Sequence, residues 1–195
     1  MKSIIRIVAG VFLLVISAAG VYHGARAALA QSTYFIAKYG SARNNTRGIL
    51  RRCETASRLY PYNYNFCVWA AETAFNDSVA REKSNTSGTA DDAAYWCDRG
   101  LKLNFYNGQL RRLKTCILRE NSLGEALNFW EDYVDWHFWD PYNHAVLVEL
   151  YADSGDFARA AESLKLIKGT KEFKAASERL NQAWQREKIP PPDVK

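Results

Sequence analysis

Two histidines and two aspartates lie close together around one proline of the sequence. Asp135, His137, Asp140 and His144 fall within ten consecutive positions, and imidazole nitrogens and carboxylate oxygens are ordinary zinc ligands. Their spacing matches no helical ligand pair such as i and i+4. A metal-dependent enzyme is therefore the weakest of three function classes, and we predict no metal and no other cofactor.

Familiar catalytic motifs do not occur elsewhere in the sequence: GxSxG, HExxH, GxGxxG and a phosphate-binding glycine loop are all missing. Cysteine–histidine catalysis would need a cysteine to meet His137 or His144 in an open cleft, whereas each cysteine lies in a pattern typical of a core or disulfide position. The 26 Lys and Arg against 21 Asp and Glu leave a dispersed net charge of +5, which argues against nucleic acid. We predict that the protein is not an enzyme.

The N-terminus is a hydrophobic segment with a positively charged start. Residues 4–22 are apolar except for Arg6 and Ser17, a pattern that targets a chain to a membrane. The uninterrupted apolar run of residues 7–22 is shorter than the ~20 residues that a spanning helix prefers. We predict a retained single-pass anchor; the alternative is a signal peptide cleaved after Ala30, which would leave a periplasmic or secreted protein.

Small residues recur every four positions at the end of this segment, at Gly20, Gly24 and Ala28. This spacing lets two helices approach closely at a membrane boundary. We therefore predict that these residues pack against a helix of another membrane protein. The charges on the two sides of the segment do not determine its orientation.

The remainder of the chain repeats itself. The segment "SLGEALNFW" from Ser122 resembles "DFARAAESL" from Asp156, 34 residues later, and the same frame fits segments from Thr89 and Asn45. Each begins with a helix-capping residue. Turns that end in Asn63, Asn107 and Asn143 separate these segments from further helical patterns, and asparagine is a strong N-cap. The sequence therefore predicts a series of helical hairpins.

A 34-residue helix–turn–helix period resembles the tetratricopeptide repeat (TPR) family. The resemblance is clearest over residues 141–167, where Leu147, Tyr151, Gly155, Ala160 and Leu164 stand at positions that the family fills with the same or similar residues. It is weaker over 45–140 and does not extend to residues 1–40. The family's first-helix tryptophan and the glycine after its leucine are replaced here by His144 and Val148, which marks divergent repeats.

The resemblance implies an all-α array of about three TPR-like hairpins behind an N-terminal hydrophobic helix. We expect an anchor and juxtamembrane helix over residues 1–40, a repeat domain over 41–188 with an inserted loop at 76–88, and a Pro-rich tail over 189–195. A terminal capping helix is predicted from the apolar face formed by Phe173, Ala176, Leu180 and Trp184.

The four cysteines can be paired within this scheme. Cys53 and Cys67 lie at nearly equal distances from the turn at Pro61, and Cys97 and Cys116 do the same around the next turn. Such positions face one another in an antiparallel helix pair. We predict disulfides Cys53–Cys67 and Cys97–Cys116, and with them a location outside the cytoplasm; buried free thiols are the alternative.

TPR proteins generally bind partners on a concave face lined by the first helix of each repeat. Here the predicted groove residues are Arg111, Thr115, Arg119 and Glu149, with Val68, Glu72 and Ala145 at equivalent positions. They do not reproduce the paired Lys and Asn pattern by which some TPR domains bind the C-terminal carboxylate of a partner. The resemblance therefore implies a generic groove for other protein subunits.

Seven aromatic rings crowd residues 128–143. Most of them fit the two apolar faces of a core helix. Compared with its equivalents, this helix carries three extra residues before the turn, so we predict that it is longer and that an aromatic end of Trp136, Phe138 and Trp139 projects beyond its neighbours.

We predict a membrane-anchored scaffold subunit of a membrane or cell-envelope complex, with its domain in the periplasm or exterior. Its partners are other proteins, among them membrane proteins, and lipid around the N-terminal helix. The second class is an accessory protein of surface-glycan assembly that stacks Trp136 and Trp139 on sugar rings. Residues 140–164 motivate it, because they resemble TPR segments of bacterial O-antigen ligase-type membrane proteins.

Overall fold

The computed structural model describes residues 2–40, 45–83 and 91–187. All regular secondary structure in these ranges is α-helical, which confirms the all-α fold class. The helices are α1 (Lys2–Tyr39), α2 (Thr46–Leu59), α3 (Asn65–Lys83), α4 (Asp91–Leu103), α5 (Gly108–Asn121), α6 (Leu123–Val134), α7 (Pro141–Asp153), α8 (Phe157–Leu166) and α9 (Glu172–Glu187). They form two compact units, Met1–Phe105 and Tyr106–Lys195, which we call unit 1 and unit 2.

Several helix starts follow the capping chemistry of the sequence. The side chains of Asn45, Asn107, Ser122 and Asp156 accept hydrogen bonds from the first turns of α2, α5, α6 and α8. Between α7 and α8, Gly155 has a φ of +78°, a conformation that glycine adopts without the steric cost of a side chain. These local signals define the hairpin boundaries.

In unit 1 the four helices pack in chain order, α1 on α2, α2 on α3 and α3 on α4. Side chains from Arg6 to Ala25 are exposed, whereas Ala30, Tyr34 and Ala37 are buried against the following helices. The rings of Tyr34 and Phe66 lie 5.1 Å apart. One continuous helix thus supplies both the apolar N-terminal segment and the first packed helix of the array, and the predicted division at residue 40 falls within unit 1.

In unit 2, α7 is the central helix and packs on α6, α8 and α9. Trp130 of α6 is fully buried and its Nε1 donates a hydrogen bond to the carbonyl oxygen of Asn143, 3.0 Å away. The predicted capping helix is confirmed as α9: Ala176, Leu180 and Trp184 are buried against the core of this unit. The array therefore ends on a helix with one apolar face.

Three local predictions differ from the structure. The loop predicted from residue 76 is helical as far as Lys83, because α3 continues through this polar stretch; residues 84–88 of that loop and the predicted tail at 189–195 lie outside the described residues. Helix α6 ends at Val134, so the three extra residues form a turn and do not lengthen the helix. Asp140, not Asn143, caps α7.

Candidate functional site

Two of the four predicted groove residues are buried. Arg111 is 2% exposed and Thr115 is 0% exposed. The Arg111 guanidinium carbon lies 4.5 Å from the ring centroid of Phe129 and 5.4 Å from that of Tyr133, and burial lowers the pKa of Arg111. Arg111 therefore packs α5 against α6, and the prediction that Arg111 and Thr115 line an open groove is wrong.

The other two predicted residues meet in an ion-pair network across α5, α7 and α9. Glu149 Oε1 accepts from Arg119 Nη1 at 2.6 Å and lies 3.0 Å from Arg179 Nη1. Glu149 Oε2 accepts from Arg112 Nη2 at 3.2 Å. Arg119 also contacts Asp153, with 2.5 Å between Nη2 and Oδ2. The Glu149 carboxylate of α7 thus links α5 to α9.

The arginines of this network favour the ionised form of Glu149. Burial opposes ionisation of Glu149, whose side chain is only 11% exposed, but the arginines around it outweigh burial and lower its pKa. Burial raises the pKa of Asp153 in spite of the neighbouring Arg119. Because an ionised, hydrogen-bonded carboxylate holds three arginines, the network keeps their guanidinium groups at this surface.

The surface around the network is concave. One depression of about 350 Å³ is lined by residues of α5, α7 and α9, among them Arg112, Tyr142, Ala145, Glu149 and Arg179. A second, of about 140 Å³, also contains Glu149 and Arg179. We call the two together the α5–α7–α9 groove.

Sequence reasoning missed Arg112 and Arg179, which line the groove. The seven-residue spacing of Arg112 and Arg119 on α5 indicates that they share a face, whereas the repeat frame predicts Arg111 on that face. A shift of one residue turns a side chain by about 100° around a helix. Arg112 Nη1 is buried and has no hydrogen-bond partner in the described part of the chain.

The predicted aromatic end is a turn with exposed rings. Trp136, Phe138 and Trp139 are 62%, 65% and 65% exposed. Two side chains of α7 stabilise the backbone of the turn. His144 Nε2 lies 2.6 Å from the Phe138 carbonyl oxygen, and Asn143 Nδ2 donates a hydrogen bond to the His137 carbonyl oxygen at 2.9 Å. The exposed rings therefore stand on an ordered backbone, although no helix extends beneath them.

The histidines do not assemble a metal centre with the nearby aspartates. His137 stacks on Tyr133 with ring centroids 4.5 Å apart, and Asp140 caps α7 through its side chain. Within the described residues there is no group of three or more His, Cys, Asp or Glu side chains that could hold a metal ion.

The four cysteines are free thiols, so the predicted disulfides are not present. Cys53, Cys67 and Cys97 are buried and Cys116 is half-buried. Burial raises the pKa of Cys53 to about 12 and that of Cys67 to about 11, which keeps these two thiols protonated and slow to react. The argument from disulfides for a location outside the cytoplasm is therefore lost.

The apolar part of α1 satisfies the length and composition of a membrane span. Between Arg6 and Tyr39 it contains an 18-residue window with a mean hydropathy of 2.0, and none of that window is buried. A signal sequence has the same properties. Gly20, Gly24 and Ala28 are exposed on this helix, and a Cβ added at either glycine meets no atom within 4 Å.

Comparison with known proteins establishes the fold class. No family model and no curated protein matches the sequence. Among solved structures, the chain has the fold of TPR-like proteins. The crystal structure of MamA protein aligns with a TM-score of 0.62 over 83% of this chain and 84% of the MamA chain, at 12% sequence identity. At this identity the likeness concerns the fold alone.

Proposed function

We propose that the protein is a membrane-anchored scaffold subunit that binds other protein subunits of a membrane or cell-envelope complex. The observation that carries the proposal is the continuity of α1, which is exposed from Arg6 to Ala25, apolar over residues 7–22 apart from Ser17, and packed into a TPR-like unit from Arg26 onward. A continuous helix of this kind would hold unit 1 next to the bilayer.

The membrane partner is proposed to pack against Gly20, Gly24 and Ala28. We would purify the native protein in mild detergent and compare it with a Gly20→Leu/Gly24→Leu variant. The fold has room for both leucines, so we expect loss of stoichiometric partner subunits from an otherwise folded protein. Ala19→Leu, exposed about 100° away on the same helix, is the matched control and should retain the partners. A lone protein in the parent preparation would contradict the proposal.

A second contact is proposed in the α5–α7–α9 groove. Four arginines, two of which are Arg179 and Arg186, line it together with three carboxylates, Glu149, Asp153 and Glu172, and Arg179 is 60% exposed. This surplus of positive charge suits an acidic segment of a partner.

The groove can be tested with a pair of arginine substitutions. We expect Arg179→Ser to weaken retention of the partner and to make the remaining binding less sensitive to salt. Arg159→Ser, which removes a 55%-exposed arginine of α8, should leave binding unchanged. Equal effects of the two substitutions would count against the groove.

The helical units are proposed to lie outside the cytoplasm, because the apolar N-terminal segment also has the length and composition of an export signal. A phosphatase that is active only after export, fused behind Lys195, should be active, whereas a fluorescent protein that matures only in the cytoplasm should be dark. The reverse pattern would place the units in the cytoplasm without affecting the scaffold role.

Glycan binding is the second candidate function. The observation that favours it is the exposure of Trp136 and Trp139 on an ordered turn, since indole rings stack on the apolar faces of sugars. We expect a Trp136→Ala/Trp139→Ala variant to lose binding to surface polysaccharide, whereas Tyr95→Ala, which removes another exposed ring, should not. Unchanged binding by the double variant would exclude this function.

A further inference from the structure

Arg26 links the end of the apolar segment to the end of α2. The side chains from Arg6 to Ala25 are exposed, whereas Arg26 is half-buried. Its Nη2 donates a hydrogen bond to the carbonyl oxygen of Arg58 at 3.1 Å. Its guanidinium carbon also lies 5.5 Å from the ring centroid of Tyr22, the last residue of the apolar run. The C-terminal end of α2 therefore lies at the level where α1 leaves its apolar segment.

The end of α4 lies at the same level. Arg99 Nη1 of α4 is 2.5 Å from Glu54 Oε2 of α2. Alternate helices of an antiparallel array run in the same direction, so Leu103 follows Arg99 by one turn just as Arg58 follows Glu54. Both helices then end on the side of unit 1 where Arg26 lies. We call this surface the Arg26 end of unit 1; it comprises Arg26, Arg58, Tyr60, Tyr62, Lys102, Leu103 and Phe105.

The Arg26 end exposes aromatic and apolar side chains. Tyr60 and Tyr62, in the turn between α2 and α3, are 41% and 78% exposed, and Leu103 and Phe105 at the end of α4 are 41% and 52% exposed. If water surrounded the protein on this side, the apolar area of these side chains would stay in contact with water and would not stabilise the protein. Tyrosine and phenylalanine are instead well suited to the boundary between lipid and water.

The charges at this end are positive. Arg26, Arg58 and Lys102 belong to it, and no acidic residue occurs in residues 22–29, 55–66 or 99–105. Glu54, one turn before Arg58, pairs with it at 3.0 Å, but the Arg58 side chain remains 77% exposed. The opposite end of unit 1 differs, because Asp77 accepts a hydrogen bond from Thr46 there and pairs with Arg81 at 2.7 Å. Asp77 and Asp92 line the same small depression as Arg47 and Arg81, so the charges at this end balance. Lipid phosphates favour the first end over the second.

We propose that the Arg26 end of unit 1 lies in the head-group layer of the bilayer that α1 enters, with its tyrosine and phenylalanine rings at the interface and its arginine and lysine side chains at lipid phosphates. This inference rests on the proposed anchoring by α1. Docking of this kind would fix the tilt of unit 1 on the membrane, which a helix alone does not do.

Two matched tryptophan probes test the proposal in the full-length protein. Tyr62→Trp places a probe in the Arg26 end, and Tyr39→Trp places one at a 61%-exposed position roughly 20 Å further along α1 from Arg26, at 1.5 Å per residue. Each variant is reconstituted in vesicles of phosphatidylcholine and phosphatidylglycerol, with and without a lipid that carries a nitroxide on its head group. The emission of the parent protein is subtracted.

We expect the nitroxide to quench the added emission of Tyr62→Trp and to leave that of Tyr39→Trp unchanged. Phe105→Trp is a second probe of the same end and should behave like Tyr62→Trp. If the protein floats with the vesicles and neither probe is quenched more than Tyr39→Trp, the docking is wrong and the anchor stands. If the protein does not float with the vesicles, both the docking and the anchor are wrong.

Discussion

At the scale of single residues, Glu149 joins three helices of unit 2 through Arg112, Arg119 and Arg179. The side chain is nearly buried, so removal of its charge would leave arginines without their partner in a region of low dielectric. The carboxylate is therefore as important for the stability of the groove as for its charge.

We expect Glu149→Gln to lower the free energy of unfolding by about 2 kcal/mol, the cost of leaving charged donors partly unpaired. Glu162→Gln, an exposed glutamate of α8, should change it little. Urea unfolding of the two variants, followed by circular dichroism, makes the comparison. Equal stability of the two would mean that solvent already satisfies the arginines.

The same residue makes stability depend on pH. The pKa of Glu149 is lower in the folded protein than its ordinary value, so its contribution is fully present above the unfolded-state pKa of about 4.3 and is lost as the pH falls through the folded value. We expect Glu149→Gln to reduce the loss of stability on acidification below about pH 4.3. Unfolding midpoints of parent and variant across this range measure it.

Thiol reactivity offers another test at this scale. Cys53 and Cys67 are buried and have raised pKa values, whereas Cys116 is half-buried. In the native protein we expect iodoacetamide to modify Cys116 first and the two buried thiols only after denaturation. Peptide mapping by mass spectrometry identifies the sites, and two disulfides in the untreated protein would contradict the free thiols.

At the scale of elements, α1 carries two different surfaces along one helix. Residues 7–22 of its first part are apolar apart from Ser17, and from Arg26 onward one face packs on α2 and α3 while the other stays exposed. The apolar residues of the N-terminal sequence predict the first part. The packing of the second part depends on residues that are far away in the chain, such as Ala56 and Phe66.

Two adjacent aromatic residues of α1 lie on its packed face and on its exposed face, so their substitution tests the packing of the second part of this helix. Tyr34 is 7% exposed and Phe35 is 47% exposed. We expect Tyr34→Ala to destabilise unit 1 by about 3 kcal/mol, as for other large aromatic side chains removed from a core, and Phe35→Ala to cost about 0.5 kcal/mol. Urea unfolding in detergent distinguishes them. Similar losses would show that the second part of α1 is not packed as described.

The aromatic turn after α6 illustrates how far a pattern predicts an element. The comparison of repeats predicts an aromatic end that projects, and Trp136 and Trp139 are exposed. It also predicts a longer helix, but α6 ends at Val134. Asp140 caps α7 three residues earlier than the predicted Asn143, so α7 takes up residues that the repeat frame had assigned to the turn.

At the scale of the whole molecule, the fate of the N-terminal segment decides what the protein is. Ala30, the last residue before the alternative cleavage site, is 0% exposed and lies in a continuous helix against Tyr34, Ala56 and Phe66. Cleavage there would remove Arg26 and Ala30 from unit 1 and expose apolar surface.

We therefore expect the mature protein to keep its N-terminus and to stay with membranes after washing at alkaline pH. Intact-mass measurement and N-terminal sequencing of the protein from its native membrane test this directly. A mature chain that begins at Gln31 would identify the segment as a signal peptide and would contradict the anchor. The matched variant Ala30→Leu should lower stability without changing the mature N-terminus.

The helical array, its terminal helix and an apolar N-terminal helix could be predicted from the sequence, because capping residues, helical periodicity and composition are local properties. The tertiary structure decided three other matters. It buried Arg111 and brought Arg112 to the groove, because one residue is about 100° around a helix. It joined the apolar N-terminal segment to the packed helices of unit 1 in a single helix. It also left the cysteines as free thiols, three of them buried, because burial depends on which helices pack together and not on the residues next in sequence.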